Sequence, residues 1–172
     1  GVTDIGENKV QEIMDKYDDI KPVRWHMIGH LQTNKVKYII DKVSTIHSVD
    51  SYKLAAEINK RAAACGITMD ILLQVNSAQE ESKFGISTEE TEGLIMQILD
   101  SCENIRIRGL MCIAPYADDP EDIKKYFDSV KEQYDQFSTI DHPNLDFRYL
   151  SMGMSHDFPV AIEAGSNLVR VG

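Results

Sequence analysis

Two segments of this sequence combine residue types and spacing that point to chemistry: Ser151-Met-Gly-Met-Ser155 and Arg170-Val-Gly172. Small residues let backbone N–H groups approach a bound anion closely, and the hydroxyls of Ser151 and Ser155 add donors. The same five residues also read as a glycine turn entering a helix, with Ser155 as its N-cap. Arg170 sharpens the first reading. In a strand, Leu168, Arg170 and Gly172 share one face while Val169 and Val171 share the other. The two valines suit contact with covering helices, which points Arg170 inward, where a guanidinium needs an acceptor. That acceptor is either an inward carboxylate such as Glu7 or a ligand carrying both a phosphate and a hydrogen-bond acceptor.

The remaining candidates say less. His26 and His47 fall inside strand patterns and read as satisfied core histidines rather than ligands. His30, His142 and His156 sit in loops without His-x-x-His or His-Glu-x-x-His spacing, so no metal site is expected. Cys65, Cys102 and Cys112 are too scattered for a disulfide framework or a Cys-x-x-Cys site. Asp118-Asp-Pro-Glu-Asp122 reads as a solvated helix start matched to the helix dipole. The 172 residues include 18 Lys+Arg against 28 Asp+Glu, a formal charge of −10. That balance argues against binding a nucleic-acid backbone, which takes clustered cations. No apolar run approaches the ~18 residues of a membrane helix, and no signal peptide is visible at Gly1. The chain reads as a reduced, cytoplasmic, acidic protein without nucleic-acid or membrane partners.

These residues must be positioned by elements that alternate strictly. Strand patterns cover residues 1–8, 24–29, 45–50, 70–76, 105–114, 145–153 and 168–172, with helical patterns over 9–19, 32–42, 51–65, 88–101, 120–137 and 158–164. Ser51 is expected to cap the third helix, Gly66 to follow its C-terminus, and Ser87-Thr-Glu-Glu90 to form a capping box after a polar loop over 77–85. Helices between every strand pair imply parallel strands with right-handed crossovers. Two architectures fit, a doubly wound open sheet and a (β/α)₈ barrel. Both glycine-rich phosphate-loop motifs are absent, which removes the best support for the open sheet. Seven strands is one short of the barrel, and the length falls below the ~200 residues usual for it. A piece lacking one βα unit accounts for both. In either architecture ligands bind at the C-terminal strand ends, which carry Asn8, Gly29, Asp50, Asn76, Pro115, Ser151 to Ser155 and Gly172.

At Gly6-Glu-Asn8, Trp25-His-Met-Ile-Gly-His-Leu-Gln-Thr-Asn-Lys35, Gly109-Leu-Met111, Leu150-Ser-Met-Gly-Met-Ser155 and Leu168-Val-Arg-Val-Gly172, the sequence resembles the YggS/PROSC family. These are pyridoxal phosphate homeostasis proteins related to the barrel domain of alanine racemase. The likeness runs through the whole chain. It implies a (β/α)₈ TIM barrel, lacking here the first βα unit and the closing C-terminal segment, with residues 1–172 as one domain that binds pyridoxal 5′-phosphate (PLP). It further implies that Ser151, Gly153 and the backbone of Gly172 cradle the phosphate, that Arg170 faces the pyridine nitrogen, and that Asn8 and Met152 line the ring pocket. The family's Schiff-base lysine ends a strand that would precede Gly1. Lys9 and Lys35 follow strand tips but open helices, and Lys83, in its Ser-Lys-Phe-Gly setting, reads as a solvated loop lysine. The implied function is a monomeric cofactor carrier and buffer that serves PLP-dependent apo-enzymes, not a dedicated enzyme. Two alternatives stand beside it: a PLP-dependent amino-acid racemase-like enzyme, which needs a second general base, and a barrel binding another phosphorylated ligand.

Overall fold

Every expected strand and helix has a counterpart, but the 32–42 stretch forms only a 3₁₀ turn over 33–35 and a four-residue helix, and a short strand over 86–87 is additional to those expected. A computed structural model describes residues 1–81 and 83–172. Ser82, within the predicted 77–85 loop, lies outside the described residues. The strands are β1 (Asp4–Glu7), β2 (Arg24–Met27), β3 (Val43–Val49), β4 (Met69–Asn76), β5 (Ile86–Ser87), β6 (Ile105–Cys112), β7 (Leu145–Met154) and β8 (Leu168–Arg170). Between them run α1 (Val10–Lys16), α2 (Val36–Ile39), α3 (Tyr52–Ala64), α4 (Thr91–Ser101), α5 (Lys124–Phe137) and α6 (Phe158–Glu163). All strand pairs are parallel, in the order β1-β2-β3-β4-β6-β7-β8, with the short β5 beside β4. The sheet curls into a nearly closed βα barrel. Among the described residues β1 and β8 end the path and do not pair, yet both border one cavity.

Sequence explains most of this locally. Ser51 accepts a hydrogen bond from the Leu54 amide at 3.1 Å, and Gly66 follows α3 at φ 69°, so both ends of that helix are stopped as predicted. Leu54, Ala55, Ile58 and Ala62 recur on one face of α3 and are buried. They join the outward residues Ile46, Ile71 and Ile107 of the barrel wall in the apolar layer between strands and helices. Each such large side chain contributes roughly 1.5–3 kcal/mol. The wall strands then alternate. Ile71, Leu73 and Val75 of β4 enter that layer, while Asp70, Leu72 and Gln74 stand outside it.

Three local expectations are corrected. The capping box at Ser87 does not form, because Ser87 is held in β5 opposite Asn76 and leads into a 3₁₀ turn over 88–90. Asp157, not Ser155, stands at the N-cap position of α6; it makes no side-chain capping bond, and its Oδ1 instead accepts the preceding Met154 amide at 2.7 Å. Val169 and Val171, expected beneath helices, are 37% and 57% exposed, because β8 is an edge strand.

Candidate functional site

The inward positions of the first strands carry polar residues where their outward neighbours are apolar. Asp4 and Gly6 of β1, His26 of β2, and Thr45 and His47 of β3 line a cavity of about 600 Å³. Trp25, Met27 and Ile46, between them in sequence, face the apolar layer. From the opposite wall Met154, Ser155, Arg170 and Gly172 complete the enclosure.

A continuous chain of hydrogen-bonding groups crosses this interior. Asp4 is gripped by the Arg24 guanidinium at 3.0 Å and approached by His26 Nε2 at 2.8 Å. Arg24 first, then His26 and Thr3, holds the Asp4 carboxyl well below the usual carboxylate range. The other ring nitrogen of His26, Nδ1, lies 2.9 Å from His47 Nε2. His47 is wholly buried, and its Nδ1 is 3.1 Å from the Ser151 hydroxyl. Burial, followed by the neighbouring His26 and Arg170, pushes the His47 pKa well below its ordinary value, so this ring is neutral near pH 7. His47 is a satisfied core histidine, as expected, whereas His26 is only partly buried and both rings border the cavity; they are satisfied by each other and by a chain that ends at Arg170.

Arg170 donates through Nη1 to the Ser151 hydroxyl and through Nη2 to the Cys112 carbonyl at 2.9 Å. It is half-buried, and burial lowers its pKa while leaving it protonated at physiological pH. The Cys112 thiol in the same wall is pushed up to about 12 by burial, so it stays neutral. Among the described residues no carboxylate forms an ion pair with Arg170. Of the two acceptors weighed for Arg170, the inward carboxylate Glu7 does not serve: Glu7 lies on the outward side of β1 and meets Lys16 at 2.8 Å. The guanidinium therefore faces the cavity with donors to spare.

The tips of β7 and β8 come together as their small residues predict. The Gly172 amide donates to the Ser155 hydroxyl at 3.1 Å. Gly153 adopts φ 104°, and a Cβ there would sit 2.9 Å from both Ala161 Cβ and Phe158 Cα of α6. This left-handed residue reverses the strand's alternation, so Met154 turns to the cavity while Met152 stays in the apolar layer. Across the mouth, a Cβ on Gly29 would lie 2.3 Å from the Asn8 carbonyl oxygen. Only glycine lets the end of β2 pass so close to Asn8, which borders the cavity. Of the residues expected to form the site, Asn8, Arg170 and Gly172 line the cavity; Ser151 stands one hydrogen bond behind Arg170, and Met152 and Gly153 shape the wall. No lysine lines the cavity among the described residues, and Lys83 is exposed in its loop.

A parallel βα barrel whose interior holds a cavity running from the strand starts to the C-terminal strand ends, walled by an arginine with no carboxylate in ion-pair contact among the described residues, is the class defined by this geometry. The chain belongs to the alanine racemase N-terminal-domain family, whose family model, described as "Alanine racemase, N-terminal domain", matches residues 1–172. It is 45% identical over 174 residues to the "Pyridoxal phosphate homeostasis protein" of Aquifex aeolicus, an alignment covering 100% of this chain and 75% of that one. PipY of Synechococcus elongatus, solved "with PLP bound", superposes with a TM-score of 0.85 at 32% identity, over 97% of this chain and 78% of that one. The alanine racemase of Clostridium difficile 630 shares the fold, with a TM-score of 0.79 at 16% identity, over 100% of this chain and 44% of that one. The predicted barrel and the predicted family are both shown.

Proposed function

We propose that this chain binds PLP in the cavity and serves PLP homeostasis as a carrier and buffer of the cofactor. One observation carries the reading. A half-buried guanidinium, that of Arg170, faces the cavity without a carboxylate partner among the described residues, in a protein of net charge −10. A cation with no carboxylate in ion-pair contact, inside an acidic protein, is complementary to an anionic ligand that also accepts hydrogen bonds. The cavity, about 600 Å³, falls within the range of small-molecule sites.

Arg170 would meet the ring nitrogen, Asn8 and Met154 would flank the ring, and the Gly172 backbone with Ser155 would receive the phosphate. Ser151 supports Arg170 from behind, and Gly153 keeps the two tips together. When bound, PLP supplies an electrophilic aldehyde and an electron-withdrawing ring. A permanently protonated Arg170 disfavours a second proton on a neighbouring ring nitrogen and so restrains that withdrawal, which suits storage better than turnover. With no lysine bordering the cavity among the described residues, the hold exerted by these side chains is noncovalent. The same reading makes PLP-dependent apo-enzymes the recipients and the carrier a cytoplasmic monomer. Among the described residues no helix is long and apolar enough to cross a membrane.

Equilibrium dialysis with PLP, followed by borohydride reduction and intact-mass measurement, tests this. Saturable binding that inorganic phosphate displaces, without a reduction-stable mass increase, is the expected result. Absence of saturable binding overturns it. Equal affinity for phosphorylated ligands lacking a pyridine ring turns the reading to a general phosphate-binding barrel. Exchange of the L-alanine α-proton in deuterated water by the PLP-loaded protein turns it to a racemase-like enzyme.

A further inference from the structure

Of the groups lining the cavity, Asp4, His26 and His47 are given no contact with the ligand in the PLP reading, yet they form an unbroken run that reaches the ligand-facing groups at Ser151 and Arg170. The Asp4 carboxylate only accepts, so His26 Nε2 must carry the proton that spans their 2.8 Å contact. The run requires His26 to carry that proton alone; its Nδ1 is then an acceptor, and the 2.9 Å contact takes its proton from His47 Nε2. His47 Nδ1 is left as an acceptor 3.1 Å from Ser151, and the Ser151 hydroxyl donates to it. The lone pairs of Ser151 are thereby turned toward Arg170, which can only donate. Every group in the run has one role consistent with its neighbours, and all the donors point from Arg170 toward Asp4. At its far end Asp4 is pinned by the bidentate Arg24 guanidinium, so the run has a fixed anchor.

We propose that Asp4, His26 and His47 are positioning residues that act through Ser151 to orient Arg170 toward the ligand, by locking the hydrogen bonds of the barrel interior into a single direction. The proposal rests on the PLP reading for its ligand and on the four contacts for its mechanism. Without an acceptor at His47 Nδ1, the Ser151 hydroxyl is free to rotate, and Arg170 keeps only the Cys112 carbonyl as a fixed partner. The ring-facing end of the site then loosens, while the phosphate-facing end at Gly172 and Ser155 is held independently by its own hydrogen bond.

Two measurements on the full chain test this. Long-range proton–nitrogen spectra of the ¹⁵N-labelled protein at neutral pH are expected to show His26 and His47 both protonated on Nε2, and a His47 proton on Nδ1 overturns the proposal. Dialysis then compares PLP with inorganic phosphate for the wild type, Ser151→Ala, Ser151→Thr and His47→Leu. Ser151→Ala and His47→Leu should weaken PLP about tenfold or more, the factor carried by one hydrogen bond to a charged group, and leave phosphate nearly unchanged. Ser151→Thr, which keeps the hydroxyl, should retain most of the PLP affinity even if His47→Leu fails to fold. Equal losses for PLP and phosphate, or no loss for Ser151→Ala, overturn the proposal. A wild-type chain that binds no PLP sinks the functional reading alone, and the two histidine tautomers still decide the direction of the run.

Discussion

Replacing Arg170 by methionine separates a binding residue from a structural one. The substitution removes two hydrogen bonds from a charged donor, to the Ser151 hydroxyl and the Cys112 carbonyl. At about 1.5–3 kcal/mol each, that is a gross loss of about 3–6 kcal/mol. Against it stands the cost of holding a cation partly out of water with no direct ion-pair partner, which is again several kcal/mol per ion. The groups left behind are few, since Ser151 keeps its contact with His47 and methionine refills much of the volume with apolar atoms. The terms nearly cancel, so Arg170→Met should change stability by no more than about 1–2 kcal/mol in either direction, while PLP affinity falls about tenfold or more. Urea unfolding with linear extrapolation reads the first quantity, provided the m-value is unchanged, and equilibrium dialysis reads the second. A loss of about 3–5 kcal/mol at constant m is the signature of a broken buried ion pair. It would refute the claim that Arg170 lacks a direct ion-pair partner. Unchanged PLP affinity would refute its role toward the ligand.

Three further outcomes are expected. His47 titrates in the unfolded chain near pH 6.5 but is held far lower in the fold, so below that pH the unfolded state binds the extra proton. Its contribution to stability is complete above about pH 6.5 and falls with acidification, by up to about 1.4 kcal/mol per pH unit. Urea titrations from pH 7.5 to 5 should show that slope in the wild type and lose it in His47→Gln; equal slopes exclude the mechanism. Gly153→Ala puts a Cβ 2.9 Å from α6 at a φ of 104° and should lower stability by roughly 1–3 kcal/mol, measurable as a reduced urea midpoint. Lys83→Ala should leave PLP affinity unchanged in dialysis, because Lys83 is exposed and lies outside the cavity lining; a severalfold loss would place that loop at the site.

The barrel was legible because each strand except one is long enough to show its period. Ile86–Ser87 is only two residues, too short for alternation to register, and the hydrogen bonds it makes with the end of β4 override the capping pattern that Ser87 displays. Arg170 was legible as an inward residue from the alternation of β8, but its partner was not. Choosing Glu7 required knowing which face of β1 points inward, and four residues do not reveal that in isolation. Asp4 and Gly6 settle it once β2 is laid alongside, because Gly6 pairs with His26 and Glu7 is left on the side of α1.

The missed feature had a signal all the same. His26 stands between the apolar Trp25 and Met27, and Thr45 and His47 flank Ile46, so each strand carries one apolar face and one polar face. In a sheet whose outer face is covered by helices, the apolar face belongs outside, and the polar one can only line the interior. A polar barrel interior must satisfy its own hydrogen bonds. Two histidines, a serine, an aspartate and an arginine converging there are therefore a network before any distance is measured. What alternation cannot supply is the reversal at Gly153, where a left-handed residue exchanges the inward and outward faces and brings Met154, not Met152, to the cavity. That exchange depends on the close approach of α6, a contact between elements that no local pattern encodes.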